Sequence, residues 1–438
     1  MKKLRSYLGT LARSSFVHGV VAVASGTAAA QVIAMLVAPI ITRLYGPDAF
    51  GQLGVFNSAV NLIAPAAALS FPIAIVLPSM DRDAGQLVKL SLLVAAVVSV
   101  VLGVSLLFFS TGIVKTMGIE VIQPYLVLVP LTVFFLSAQQ VAQQWLIRMR
   151  LFGATGRVSV FQALAVNFAH VLVGLYQPVG TALIWVSSLG KLLHAGLLSL
   201  AARRRGTANP PDDASPPAGL REVAQRYRDF AFFRAPQEFV TAASYSLPVI
   251  ALAAFVNPAA AGLYTLCQSV LGLPSRLIGS SVGSVFYPRI TAAAKQGEDI
   301  SRLITRATLA LFAIGVLPYL AVVLFGPRLF ALVFGSEWLG AGEFARWLAL
   351  VHLSTMVSRP AAQALPVLSA QRFSLILSTS TLVLRLAALL FGLVRLESAV
   401  HAIAMYSVVG VVANLTLFLA VKRFSNRFDS DSSAERFS

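Results

Sequence analysis

The chain has 438 residues, 57% hydrophobic and 12% charged, with a mean hydropathy of +0.80. That lies far outside the composition of a soluble domain, and roughly 250 apolar positions suffice for about twelve membrane spans of about 20 residues each. A water-soluble enzyme is excluded. The lone cysteine, Cys267, sits in an apolar run as inert packing, so neither a disulfide framework nor a thiolate metal cluster is available.

In chain order, apolar runs fall at about 17–41, 50–77, 87–110, 122–146, 158–177, 179–201, 230–256, 259–288, 304–326, 342–367, 373–394 and 398–421. They are long and continuous instead of alternating apolar with polar, which predicts helices and not barrel strands. The fold class is an all-α integral membrane protein with about twelve transmembrane helices. The basic start Met1-Lys2-Lys3-Leu4-Arg5 leads into an apolar stretch that continues to Ile41, too long for a signal peptide, and reads as a retained first span. The longest loop, 202–228, has a core of Asn209-Pro210-Pro211-Asp212-Asp213-Ala214-Ser215-Pro216-Pro217 that reads as a disordered linker. It separates a six-helix lobe at 1–201 from a second at 229–422, followed by a tail at 423–438. An even number of spans per lobe sends both lobes into the membrane in the same direction, as a parallel repeat requires. Gly46-Pro47-Asp48-Ala49-Phe50-Gly51 recurs about 211 residues later as Asn257-Pro258-Ala259-Ala260-Ala261-Gly262, and Pro78 and Pro288 close the two hairpins about 210 apart.

The formal charge is +17, from 34 basic and 17 acidic residues. With the N-terminus inside, roughly 25 of the 34 basic residues face the cytoplasm and about four, Arg43, Lys115, Arg328 and Arg395, face outward. Both termini are therefore expected in the cytoplasm. Topology accounts for most of the charge, and no nucleic-acid partner is expected. Trp145, Trp338 and Trp347 lie near span ends, where they read as interface anchors.

Charges inside the runs carry more information, because each costs about 2.5 to 3.5 kcal/mol on insertion scales and needs a partner or a wet cavity. Arg276 in span eight, Arg385 in span eleven and Lys191 in span six fall near mid-span, while Arg359 in span ten and Arg234 in span seven sit nearer the cytoplasmic side. The one acid comparably inside is Glu238, one turn after Arg234, so the two share a helix face as a structural pair or as a site of ion coupling. Arg276, Arg359 and Arg385 outnumber the buried acids, which favours a cationic, water-lined cavity over snorkelling. The stem of Lys191 is long enough to reach an interface instead. Guanidinium groups match phosphate oxygens bidentately, so the ligand expected is phosphorylated or carboxylated. Pro39, Pro65, Pro72, Pro248, Pro274 and Pro360 sit within spans, as packing kinks or as hinges. His18, His170, His194, His352 and His401 are scattered singly, so no metal site is expected. There is no glycine-rich phosphate loop, no nucleophile constellation and no motif calling for a cofactor, and the expectation is a non-enzyme.

Two stretches carry a family resemblance: Thr42-Arg43-Leu44-Tyr45-Gly46-Pro47-Asp48-Ala49-Phe50-Gly51 with Ile75-Val76-Leu77-Pro78, and Leu247-Pro248 through Gly262-Leu263-Tyr264, Leu273-Pro274 and Phe286-Tyr287-Pro288-Arg289. They resemble the polysaccharide-repeat flippases, O-antigen type and Wzx-like, of the multidrug/oligosaccharidyl-lipid/polysaccharide (MOP) exporter superfamily. The resemblance implies two lobes, a central cationic cavity and alternating access. It implies translocation of an undecaprenyl-diphosphate-linked oligosaccharide from the cytoplasmic to the outer leaflet of a bacterial inner membrane, for O-antigen, capsule or exopolysaccharide. Arg276, Arg359 and Arg385 would then hold the diphosphate, with Arg234 and Lys191 adding to the cationic cavity and Glu238 a candidate for ion coupling. Polysaccharide polymerase and chain-length machinery are the protein partners it implies. Peptidoglycan-precursor flippases of the superfamily place several arginines in their first two spans, where this chain has Arg43 alone, and its drug exporters carry buried acids, where this chain has essentially Glu238. An exporter of small organic compounds is the alternative, and a non-transporting scaffold of a glycan assembly complex is a third reading.

Overall fold

The computed structural model describes residues 15–118, 120–205, 219–296, 298–368 and 370–437, and among them there is no strand. Twelve helices of 19 residues or more carry the architecture: α1 Ser15–Leu44, α2 Pro47–Ala67, α3 Asp81–Met117, α4 Leu128–Arg148, α5 Phe152–Tyr176, α6 Gly180–Arg205, α7 Ala235–Phe255, α8 Pro258–Gln296, α9 Ile300–Phe334, α10 Leu339–Val357, α11 Gln371–Val394 and α12 Ala399–Phe437. Each coincides with one of the apolar runs. Hydrocarbon leaves backbone N–H and C=O groups without water, and a helix is the structure in which a single segment satisfies its own. Eight of the twelve, α1, α3, α5, α6, α7, α9, α11 and α12, are by themselves long and apolar enough to cross a membrane. The chain is a multi-pass membrane protein. The other four, α2, α4, α8 and α10, bear several of the polar side chains described below, among them Asn57, Gln140, Gln268 and His352.

Three runs are not single helices. The second run breaks after Ala67, where Leu69 and Ser70 take left-handed backbone angles (φ 47° and 55°) before a short helix at Phe71–Ala74 with proline at its start. The tenth run breaks at Ser358, and a second short helix follows at Arg359–Ala364, again with proline in its first turn. Proline lacks the N–H an interior turn needs, and its fixed φ suits a first turn. The seventh run begins with a π-helical turn at Phe230–Arg234 before α7. At the chain's end, α12 continues through the stretch expected to be a tail as far as Phe437. The linker core 209–217 and the basic start at Lys2 and Lys3 lie outside the described residues.

The chain divides into two compact units, Met1–Tyr45 with Gln52–Ser246, and Gly46–Gly51 with Leu247–Ser438. In the first, α3 packs on α4, α4 on α6 and α6 on α5. In the second, α9 packs on α10, α10 on α12 and α12 on α11. These are the same three pairings displaced by six helices, the arrangement a parallel repeat requires. The core of the first unit includes Phe71, Ile75, Leu87, Val141 and Val223, and Phe286, Ile290, Ile304 and Leu365 belong to that of the second. Leu107, Phe108 and Phe109 near the end of α3 are more than 60% exposed, as expected of side chains facing lipid.

Polar ties hold the ends of the first unit. Arg148, at the end of α4, donates to the carbonyls of Ile75 and Pro78 at 3.2 and 2.7 Å and pairs with Asp81 at 2.8 Å. The motif Ile75–Pro78 is thus a turn whose free carbonyls one guanidinium satisfies. Arg226 reaches Asp83 at 3.3 Å and Glu222 at 2.7 Å, fixing the helix Leu220–Arg226 to the start of α3.

Within the second unit the repeated motif forms a reciprocal contact. A Cβ built on Gly51 would collide with the carbonyl of Pro258, and one built on Gly262 would collide with the carbonyl of Pro47. The two prolines open α2 and α8, and the two glycines one turn later let these helix starts meet backbone to backbone, as small residues do at close membrane crossings. Trp338, read from sequence as an interface anchor, is instead buried, with its ring 5.0 Å from that of Phe50 in an edge-on contact. We predict that Gly51→Ala and Gly262→Ala each destabilise the protein by about 1 to 3 kcal/mol through overpacking. Gly85→Ala, with open space around its Cβ, should leave thermal unfolding in detergent unchanged; equal melting points for all three would refute the contact.

Candidate functional site

The cations picked out by sequence fall into two groups. Arg359 and Arg385 belong to the second unit, as does the backbone of Arg276 in α8, whose side chain lies outside the described residues. Lys191, Arg234 and Glu238 belong to the first unit.

In the second unit, a chain of polar side chains crosses four helices. Arg385 of α11 is half-buried, and its guanidinium carbon stands 4.7 Å from the ring centroid of Tyr406 on α12. Gly410, one turn further along α12, leaves the space that the guanidinium fills, since a Cβ there would collide with it. Tyr406 is hydrogen-bonded to the fully buried Tyr264 of α8. The amide of Gln268 donates to the Tyr264 hydroxyl at 2.6 Å, and the Gln268 carbonyl oxygen meets Nε2 of His352 on α10 at 2.9 Å. An aromatic face attracts a cation, and the polar chain behind it keeps both tyrosine hydroxyls satisfied. One residue before Arg276, Ser275 meets the Tyr319 hydroxyl at 3.2 Å and donates to the His352 carbonyl at 3.3 Å, anchoring this part of α8 to α9 and α10. The seat of Arg385 is therefore built by α12 with α8 and α10 behind it.

Arg359 opens the short helix after α10, half-buried. Beside it the Ser358 hydroxyl donates to the Asn414 carbonyl at 3.3 Å, and the Asn414 amide donates to Ser354 and Thr355 at 2.9 and 3.0 Å, closing the helix break. For both Arg359 and Arg385 the Nε atom is buried without a hydrogen-bond acceptor, and no carboxylate lies within 4.0 Å of either among the described residues. Their charge is left for something else to meet.

In the first unit, Lys191 of α6 donates to the side-chain carbonyl of Asn57 on α2 at 2.8 Å, a neutral partner. Arg234, in the π turn, pairs with Glu238 at 2.7 Å, so the shared helix face expected from their spacing does form an ion pair. Roughly 40% of each side chain is exposed, and Glu238 lines a cavity. His170 is buried, near Ser187 at 3.3 Å, and among the described residues no cluster of metal-ligating side chains occurs.

Sequence reasoning passed over Tyr264, Gln268, His352 and Tyr406. Tyr264 lies inside the quoted Gly262-Leu263-Tyr264, and the spacing of Tyr264 and Gln268 on one face was the signal available. Nothing linear connects them with Tyr406.

The fold is that of the MOP superfamily of transporters. The chain superposes on a multidrug resistance MATE family transporter of that superfamily in its inward-facing conformation with a TM-score of 0.71, at 13% identity over 91% of this chain and 96% of the other. It superposes on the lipid II flippase MurJ with a TM-score of 0.70, at 10% identity over 95% and 91%. A MOP superfamily transporter from Pyrococcus furiosus matches with a TM-score of 0.61, at 12% identity over 95% and 98%. No curated protein matches by sequence. The family model described as "Polysaccharide biosynthesis protein" matches residues 40–343, and the chain belongs to that family.

Two measurements test the geometry. Tyr406→Phe keeps the ring beneath Arg385 and should cost about 0.5 to 1.5 kcal/mol for the lost hydrogen bond, whereas Tyr406→Leu should cost up to about 2 kcal/mol more in thermal unfolding. Equal losses would remove the cation–aromatic contact from the account. Asn57→Leu should destabilise by about 1 to 3 kcal/mol by stripping Lys191 of its acceptor, and Asn57→Leu combined with Lys191→Met should recover part of the loss.

Proposed function

We propose that this protein is a flippase that carries an undecaprenyl-diphosphate-linked oligosaccharide repeat from the cytoplasmic to the outer leaflet of a bacterial inner membrane, with both termini cytoplasmic. It serves surface polysaccharide synthesis, by alternating access and without catalysing a covalent reaction. The observation that carries this reading is the pair of half-buried guanidinium groups, Arg359 and Arg385, that no described carboxylate neutralises. A cation such as Arg385 kept near mid-span at a cost of about 2.5 to 3.5 kcal/mol calls for an anionic ligand, and a diphosphate supplies acceptors of the geometry guanidinium binds best. Membership in a polysaccharide biosynthesis family supports a glycan as what the anion bears. With the cytoplasm negative, outward movement of an anion is favoured by about 2.3 kcal/mol per charge per 100 mV, so the potential can drive the cycle. Glu238, held by Arg234, is available to couple an ion without being required to.

Deleting the gene should abolish surface glycan and accumulate lipid-linked repeat units facing the cytoplasm. Complementation with Arg359→Gln or Arg385→Gln should restore protein to the membrane yet reduce surface glycan by about 10-fold or more, since a charge-assisted hydrogen bond is worth about 1.5 to 3 kcal/mol. Normal glycan in the deletion strain, with no second flippase present, would overturn the reading in favour of an exporter of small organic compounds.

A further inference from the structure

The first unit holds a cavity of about 400 Å³ at the break in the second apolar run, lined by Asn61, Ser70, Gln140, Gln143, Gln144 and Glu238 among apolar residues. Its volume is that of a small-molecule pocket, well beyond what a bare ion needs. Gln140, Gln143 and Gln144 stand on one face of α4, at i, i+3 and i+4. None of these three, nor Asn61, makes a side-chain hydrogen bond among the described residues, although each carries a carbonyl and an amide.

The opposite wall is irregular backbone. Pro65 removes the N–H that would reach the carbonyl of Asn61, Leu69 and Ser70 are left-handed, and Pro72 opens the short helix that follows. At membrane depth, irregular backbone is tolerated where it is buried in protein or lines a wet cavity. Ala64, Pro65, Ala68 and Pro72, with the larger Ile73 and Leu136, give the rest of the lining an apolar surface. The one acid, Glu238, is already neutralised by Arg234 at 2.7 Å, so the wall bears no net charge.

We propose that this cavity is a glycan subsite that seats an uncharged sugar residue, with Gln140, Gln143, Gln144 and Asn61 hydrogen-bonding its hydroxyls. Each sugar hydroxyl both donates and accepts, and a primary amide presents a donor and an acceptor at fixed separation, so four amides around one cavity pair with vicinal hydroxyls without bringing a charge. The apolar wall takes the C–H face of the ring. A uronic or sialic acid would bring a carboxylate to a site with no free cation. This inference rests on the flippase reading and adds to it the part of the protein that recognises the sugar.

The test uses the full-length protein in lipid nanodiscs and two probes: lipid-linked repeat units extracted from the deletion strain, and undecaprenyl diphosphate without sugar. The wild-type protein should bind the glycosylated lipid about 10-fold or more tightly than the bare one, as two or more neutral hydrogen bonds would give. Gln140→Leu with Gln144→Leu should abolish that preference and leave binding of undecaprenyl diphosphate unchanged, which also shows that the variant is folded. Gln143→Ala is the milder second variant and should reduce the preference. Arg385→Gln should weaken both probes alike. A preference that survives in both glutamine variants, or equal binding of the two probes by the wild type, overturns the subsite while leaving the flippase reading intact. Failure of the wild type to bind either probe overturns the flippase reading itself. A binding signal that follows sodium concentration and disappears in Glu238→Gln, with no dependence on sugar, assigns the cavity to a cation and overturns the subsite.

Discussion

Hydrocarbon offers neither water nor counter-ions, and this constraint shapes every level of the molecule. It forces each apolar run to satisfy its backbone internally, which makes the described secondary structure helical. It also turns each exception into a place where the protein must supply what water would have supplied. The break at Leu69 and Ser70 lies in the wall of a cavity lined in part by amides, and the break at Ser358 is closed by Asn414. Arg385 is received by an aromatic ring and a glycine. Lys191 is received by an asparagine carbonyl.

The repeat displaced by six helices shows how the scaffold divides its tasks. The four helices not apolar enough to count as spans by themselves are α2, α4, α8 and α10, and six positions separate α2 from α8 and α4 from α10. In the first unit these positions bear Asn57, Asn61 and the glutamines of α4; in the second they bear Tyr264, Gln268, Ser275 and His352. The same places in the fold thus carry polar groups twice, with amides in one copy and an aromatic and imidazole chain leading to a cation in the other. The motif around Gly51 and Gly262 is common to both copies for a steric reason: each glycine faces the other motif's proline carbonyl, and neither position has room for a Cβ.

Cations in membranes are informative in proportion to what fails to neutralise them. Arg148, Arg226, Arg234 and Arg289 all have carboxylate partners, and each ties local structure together. Arg359 and Arg385 do not, and the polar networks beside them run to hydroxyl, amide and imidazole groups. The Tyr406 ring seats Arg385 without cancelling its charge, the condition under which a guanidinium retains its attraction for an incoming anion.

The sequence by itself determined the fold class and the twelve helices, because both follow from the length and composition of continuous segments, and the internal repeat, because its motif recurs about 211 residues later. It also singled out the charged residues, since a charge inside an apolar run is visible without knowing its neighbours in the fold. The pairing of Arg234 with Glu238 was readable for the same reason, being local to one helix face. Only the tertiary structure decided which of the other charges have partners. Tyr406 lies 21 residues from Arg385 on the next helix, and Tyr264 lies far earlier in the chain, so no linear spacing announces their contact. The run Gln139-Gln140-Val141-Ala142-Gln143-Gln144 was visible as two amide pairs in an apolar stretch, yet amides carry no charge to mark them as costly. Their significance appears when the break in the second run places Asn61 and Ser70 around the same cavity. Trp338 gives the same lesson in reverse: its position near a span end suggested lipid, and packing against Phe50 buries it in protein. Periodicity and composition report which solvent a segment meets, whereas the partner of a side chain is a property of the assembled helices.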